Sequence, residues 1–191
     1  DRDNYDYYFR PIRKWDTRLV TDISGLFKDY DDFNEDISGW NVSSVSNMNA
    51  LFQNASSFNQ YIGSWTTNNV TNMEFMFNGA TIFNQDISGW DVSFVTNMES
   101  MFQDADKFNQ MIGKWTTTQV TTMENMFNGA SSFNQSLYHW NDIEFVSKTE
   151  IISQNKNVIN MLDNTPFLQY IILTGSVNQD VIYYAVDQHK N

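Results

Sequence analysis

Large apolar residues recur along this chain at a fixed interval of 25 positions. The six tryptophans, Trp15, Trp40, Trp65, Trp90, Trp115 and Trp140, fall on one grid. Val20, Val45, Val70, Val95 and Val120 keep the same step, as do Phe27, Phe52, Phe77, Phe102 and Phe127. A second phenylalanine series runs through Phe33, Phe58, Phe83, Phe108 and Phe133, and an aliphatic one through Ile37, Ile62, Ile87, Ile112 and Leu137. Met48, Met73, Met98 and Met123 form a further series, and Ala55, Ala80, Ala105 and Ala130 mark a small-residue position. The intervening positions are mostly Asn, Ser, Thr, Gly and Gln. A chain patterned this way buries its apolar set only by stacking each length on the next, which predicts a repeat solenoid with one coil per period.

A second rhythm lies over the first. Lengths containing ISGW (37–40, 87–90) alternate with lengths containing IG-x-WTT (62–67, 112–117), and aligning 33–82 with 83–132 gives 32 identities in 50 pairs. Within one coil, Val45, Met48, Phe52, Ala55, Phe58 and Ile62 are spaced like a helical stripe. Gly39, Gly63, Gly89 and Gly113, with β-branched residues and asparagines around them, rule out one continuous helix. The pattern predicts instead a short helical or 3-10 turn at M-x-x-M-F-x-x-A, a brief extended segment at F-N-Q-x-I, and a glycine turn into W-x-x-x-x-V. Extended segments stacked about 4.8 Å apart would make six coils a rod roughly 30 Å long. Asn34, Asn59, Asn84, Asn109 and Asn134 directly follow the phenylalanines and are expected to point inward, satisfying backbone groups at the bend.

The consensus F-N-x-D-I-S-x-W-x-V-S-x-V-T-N-M-x-x-M-F-x-x-A resembles the repeat of the BspA-like, mycoplasma-type surface-lipoprotein family, which has the same period. That family is related to leucine-rich repeats and is also found in protist and large DNA virus proteins. The resemblance covers residues 14 to 152 and implies an LRR-like right-handed coil stack with short β-segments and short helical or 3-10 turns. It further implies a non-enzymatic role at a surface, in adhesion or recognition, and it carries over no catalytic residues. The chain has no cysteine, so the lipid anchor of the lipoprotein members is not implied.

The flanks divide the chain into an N-terminal cap or arm (1–13), the repeats (14–152) and a C-terminal cap or interface segment (153–191). Tyr7, Tyr8, Phe9 and Ile12 are expected to cover the first coil or to pack against a partner. At the far end Trp140 keeps the grid, Phe145 and Lys148 replace valine and methionine, and Ile151 and Ile152 stand where Met-Phe is expected. Two apolar runs, 167–173 and 181–186, read as a pair of strands or a strand and a short helix.

Composition narrows the functions. The 191 residues are 41% hydrophobic and 16% aromatic, enough for a packed core. A formal net charge of −12 disfavours a nucleic-acid partner, whose phosphates require clustered Lys and Arg. No apolar stretch reaches membrane-spanning length. The two histidines, His139 and His189, lie far apart in the chain and no cysteine accompanies them, so no metal site is expected. Neither G-x-S-x-G nor H-E-x-x-H occurs, and the acidic run 29–36 lacks the glycine and spacing of an EF-hand loop. No enzyme and no cofactor are therefore expected. Thr66, Thr67, Thr116 and Thr117 suggest outward threonine patches and a remote ice-binding alternative, although Val-Ser interrupts them in alternate coils. Asn41, Asn54, Asn69 and Asn134 open glycosylation sequons. The candidate interaction residues are Tyr61, Phe75, Phe94 and Met111, large apolar residues at variable positions of the repeat. These readings favour a recognition or adhesion module that meets a protein or glycan surface, extracellular or on the cell surface. The alternative is a structural component of a larger assembly, a virion among them, held to other subunits by its terminal segments.

If the ladder carries the core, Phe83→Ala costs about 3–5 kcal/mol in urea unfolding, whereas substitution of Asn69 or Lys114 costs little. Equal losses at both kinds of site would refute the register.

Overall fold

The structure, a computed structural model, describes residues 11–137, 140, 144–147, 150–152, 161, 162, 165, 170–174 and 181–185. Tyr7, Tyr8, Phe9, Lys148, His139 and His189 lie outside them; of the expected N-terminal cover Ile12 is described, partly buried and packed against the core.

Between residues 15 and 137 the chain forms neither a helix nor a strand. The expected LRR-like right-handed solenoid, with a β-segment and a helical or 3-10 turn in every coil, is therefore corrected. A single 3-10 turn, Ile12–Lys14, precedes this region. Four described strands follow it: β1 (Glu144–Ser147), β2 (Glu150–Ile152), β3 (Tyr170–Thr174) and β4 (Val181–Ala185). They form two separate antiparallel pairs, β1 with β2 and β3 with β4. In the second pair Tyr170 faces Ala185 and Thr174 faces Val181.

The body of the chain is a succession of layers built from turns, with positions one period apart brought into contact. A row of isolated parallel bridges, Asp22–Asn47–Asn72–Asn97–Thr122, links successive layers. The reason no helix forms lies in how the M-x-x-M-F-x-x-A segment spends its backbone donors. In the layer beginning at Met48, the N–H groups of Met48, Ala50, Phe52 and Asn54 donate to the carbonyls of Asn72, Glu74, Met76 and Asn78 in the next layer. The N–H groups of Leu51, Gln53 and Ala55 donate three residues back, to Met48, Ala50 and Phe52. Donors thus alternate between the next layer and the residue's own turn, whereas a 3-10 helix needs consecutive i→i+3 bonds.

That alternation requires left-handed backbone at two points per layer. One column comprises Gly25, Ala50, Phe75, Ser100 and Asn125, with φ between 53° and 62°. The other comprises Asp29, Asn54, Gly79, Asp104 and Gly129, with φ between 56° and 76°. For Ala, Phe and Ser this conformation costs roughly 1–2 kcal/mol per residue, so the inter-layer bonds must more than offset it.

No strand forms at F-N-Q-x-I because asparagine side chains take the place of backbone acceptors. The N–H groups of Asn59, Asn84, Asn109 and Asn134 each donate to the Oδ1 atom of the preceding layer's asparagine, at 2.9–3.0 Å. Gln60, Gln85 and Gln110 bind the carbonyl oxygens of Asn34, Asn59 and Asn84 through Nε2. The asparagines stand at the half-exposed rim, not inward as the sequence suggested. Indole groups complete the vertical bonding. Nε1 of Trp40, Trp65, Trp90, Trp115 and Trp140 donates to the carbonyl of Ile12, Ile37, Ile62, Ile87 and Ile112 respectively.

Inside, the aromatic rings stack in two parallel columns. Centroids along Phe27–Phe52–Phe77–Phe102–Phe127 lie 5.5–5.7 Å apart, and the partner column from Phe33 to Phe133 keeps 5.7–6.1 Å. Within a layer the two rings approach to 3.8–4.0 Å. The methionine, valine, alanine and isoleucine series lie buried around them. The columns extend beyond the described repeats with a shift. Phe102 N–H bonds the Met126 carbonyl, one ordinary step ahead, but Phe127 N–H bonds that of Met161, a longer step. Met161 and Leu162 are buried in the same core. The step assigned to Ile151 and Ile152 from the sequence thus belongs to Met161 and Leu162, and Ile151 and Ile152 form part of β2 instead.

The two-layer rhythm also has a physical basis. Thr17 and Thr67 are buried, and their hydroxyls donate to the carbonyls of Asn41 and Asp91 in the following layer; Val42 and Val92 hold the same position in the alternate layers. Thr117 is likewise buried, so Thr67 and Thr117 are withdrawn from the outward patches expected of them. A Cβ on Gly63 would collide with the Asp86 carbonyl, and one on Gly113 with that of Ser136. A Cβ on Gly89 would meet nothing within 4 Å. Neither Gly63 nor Gly113 has positive φ, so glycine is required there for space alone.

Stacking in register has an electrostatic cost. Glu74, Glu99 and Glu124 occupy one half-buried column. Burial, and then the charges of Glu74 and Glu124, push the Glu99 carboxyl above its ordinary range. A carboxyl raised in the folded state destabilises the fold when ionised. That cost is absent below the ordinary carboxylate pKa and grows as pH rises through the folded value.

Two outcomes follow for urea unfolding. Gly63→Ala costs about 1–3 kcal/mol while Gly89→Ala stays within about 0.5 kcal/mol of the parent; similar values for the two would refute the close approach. Glu99→Gln stabilises the protein at pH 7 by roughly 0.2–1 kcal/mol, the scale of a like-charge pair across neighbouring strands, and the gain vanishes below pH ~4. A gain independent of pH would show that charge is not its cause.

Candidate functional site

The outward side chains follow the same columns as the core, so each surface position can be read layer by layer. Tyr61 and Met111 are exposed, at 53% and 73%, and share one column two layers apart. That column reads Asp36, Tyr61, Asp86, Met111, Ser136. Phe94 is exposed and shares a different column with Leu19, which the sequence reading passed over although it is 93% exposed. Phe75 is half-buried, sits at a left-handed position with φ 55°, and donates its N–H to the Glu99 carbonyl. The four candidate residues therefore occupy three columns, and only Tyr61 and Met111 are aligned. The tryptophans and phenylalanines of the ladder are buried, except Trp15, which is half exposed and stacks on Trp40 at 6.0 Å.

Asp36 and Asp86 owe their setting to the residue two positions on. Asp36 Oδ1 accepts from the Ser38 N–H and hydroxyl at 3.0 and 2.7 Å, and Asp86 Oδ1 accepts from the Ser88 N–H at 2.9 Å. Bonds from Ser38 hold the Asp36 carboxyl below its usual range, the side-chain bond contributing most, with a smaller contribution from Arg13. Bonds from Ser88, the backbone N–H first, lower Asp86 likewise. Asp91 forms the same turn with Ser93 and is lowered for the same reason, chiefly by the Ser93 hydroxyl. Asn41 occupies the Asp91 position one double layer earlier and accepts from Ser43 in the same way, so the turn needs the Oδ1 acceptor and not the charge.

The Tyr61 ring lies over Gly63, with Cε2 2.8 Å from where a Cβ would stand, and the Asp86 carbonyl approaches the same point from the next layer. Tyr61 and Asp86 are thereby neighbours. Charge is distributed unevenly around this column. From residue 29 to residue 106 there is no Lys, Arg or His, while eleven Asp and Glu occur there; basic residues resume at Lys107 and Lys114. Placing the Lys and Arg residues on the repeat grid would have exposed this band from the sequence.

Asn41, Asn54 and Asn69 are exposed. Asn54 Nδ2 is bound to Asp29 and Asn69 Nδ2 to the Ser43 carbonyl. The Asn134 Oδ1 atom is buried and, as the last asparagine of its row, has no hydrogen-bond partner among the described residues. Among the described residues no three His, Asp or Glu side chains converge as metal ligands, and no helix is long and apolar enough to cross a membrane.

No curated protein and no solved structure matches the chain at a significant level. A family model described as "Mycoplasma protein of unknown function, DUF285" matches residues 3–104 and again 61–165. The BspA-like, leucine-rich-repeat-related assignment is corrected accordingly, because the described layers lack the repeating strand and helix units that it requires. The two overlapping matches cover most of the sequence, and the chain belongs to the family of Mycoplasma proteins of unknown function, DUF285.

Proposed function

We propose that this chain is a non-catalytic, anionic partner for a protein of opposite charge. The recognition or adhesion role inferred from the LRR-like resemblance, together with its assembly alternative, lost its basis with that architecture. Burial of Thr67 and Thr117 breaks the Thr66-Thr67 and Thr116-Thr117 pairs on which the ice-binding alternative rested. The observation that carries the present reading is the basic-free stretch from 29 to 106 with its eleven carboxylates. Three of these, Asp36, Asp86 and Asp91, are held ionised by serine donors and stand exposed. A one-signed surface accelerates encounters with a cationic partner and discourages nucleic acid.

The non-catalytic part is supported by how the polar side chains are used. The asparagines of the rim and Asp22, Asp36, Asp86 and Asp91 serve as acceptors for neighbouring backbone groups. We place the encounter outside the cell. A cysteine-free chain whose Asn41, Asn54 and Asn69 sequons are exposed is compatible with an oxidising, glycosylating route.

The test is titration calorimetry with a short peptide of alternating Arg and Ser, against a Glu-Ser control. Binding to the Arg-Ser peptide alone, weakened about ten-fold or more between roughly 20 and 200 mM salt, is expected. Absence of binding at low salt would sink the reading.

A further inference from the structure

We propose that the outer column Asp36–Tyr61–Asp86–Met111 is a docking ridge for an arginine-bearing segment of a partner protein. This rests on the anionic-partner reading and names where and how the partner is held. The column is set apart from the rest of the acidic surface because it alternates carboxylates with large exposed apolar side chains, at the spacing of the layers.

Tyr61 is the centre of the ridge. Its ring lies over Gly63, where the missing Cβ lets it settle against the layer, and more than half of the residue remains open to solvent. Carboxylates stand at the same position in the layers on either side, Asp86 above and Asp36 below, and the Asp86 backbone carbonyl closes on the Gly63 turn beneath the ring. Asp36 Oδ1 takes both Ser38 donors and Asp86 Oδ1 takes the Ser88 N–H, and both residues stand exposed.

A planar guanidinium can lie on the phenol face and direct its N–H fork at such a carboxylate, which an ammonium group cannot do with the same geometry. Met111, 73% exposed on the next layer but one, offers an adaptable thioether contact for the apolar part of the segment. Charge complementarity selects the occupant, because no basic residue occurs between Lys28 and Lys107; Arg13 acts on Asp36 at one end of the ridge, and Lys107 and Lys114 flank Met111 in sequence at the other. Asp36 already feels Arg13, so Asp86 contributes more to binding.

The experiment measures anisotropy of a labelled Arg-Ser peptide, and of its Lys-Ser counterpart, against the full chain and four variants. Asp86→Asn and Asp36→Asn retain the Oδ1 acceptor, as Asn41 does naturally, so the turn is preserved. Asp91→Asn removes one charge from a different column and makes that position the same as Asn41. Asp86→Asn is expected to weaken Arg-Ser binding about five-fold, Asp36→Asn less, and Asp91→Asn by under about two-fold. Tyr61→Leu is expected to remove the preference for Arg over Lys while leaving thermal unfolding unchanged. Equal losses at Asp86 and Asp91, with Arg and Lys peptides indistinguishable, would overturn the ridge and leave the anionic reading standing. No binding of either peptide to the parent chain would overturn both.

Discussion

A turn leaves half of its backbone donors pointing out of its own plane, and in this chain the next layer is where they are met. That requirement ties alternate N–H groups to carbonyls almost one full period ahead, four times in each layer from Ile23 to Asp104. The rest of the architecture serves it. Left-handed residues at two points per layer turn alternate N–H groups toward the following layer. Asparagine and tryptophan side chains supply vertical bonds on the stretches where the backbone makes none. The phenylalanine columns then fill the interior that a fixed vertical spacing leaves, and their ring separations follow the spacing of the bonds.

The period was legible in the sequence because identical side chains must meet identical environments when layers stack in register. The phenylalanine, valine and isoleucine columns could be written down from residue identity alone. The secondary structure could not. Val45, Met48, Phe52 and Ala55 have the spacing of a helical stripe, but two alternating turns of three residues place the same side chains on the same inner face. Nothing about Ala50 or Phe75 advertises a left-handed backbone, since neither residue favours one. The longer step before Met161 is hidden in the sequence for a related reason. Trp140 kept the grid, and Ile151 and Ile152 were apolar enough to pass for the next Met-Phe step.

The surface divided in the same way. Tyr61 and Met111 could be aligned by counting, and the structure leaves both open. Phe75 looked equally variable, but its backbone is drawn into the inter-layer bonding, and its side chain is half covered as a result. The carboxylates between the apolar residues gained meaning only when the columns were read vertically. Asp86 is one acid among many along the chain and becomes the neighbour of Tyr61 once residues 63 and 86 are seen to touch.

The buried threonines bear on how such a chain can change its length. Thr17 and Thr67 each donate to a backbone carbonyl of the alternate kind of layer above them, and Gly63 makes room for a carbonyl of the layer that follows it. Loss of a single layer would set two of one kind against each other. A valine would then lie beneath the Asp91 carbonyl, which would lose its hydroxyl. Loss or duplication of a double layer restores every contact. A change of length by whole double layers therefore preserves the alternation of threonine and valine layers, and a change by a single layer does not.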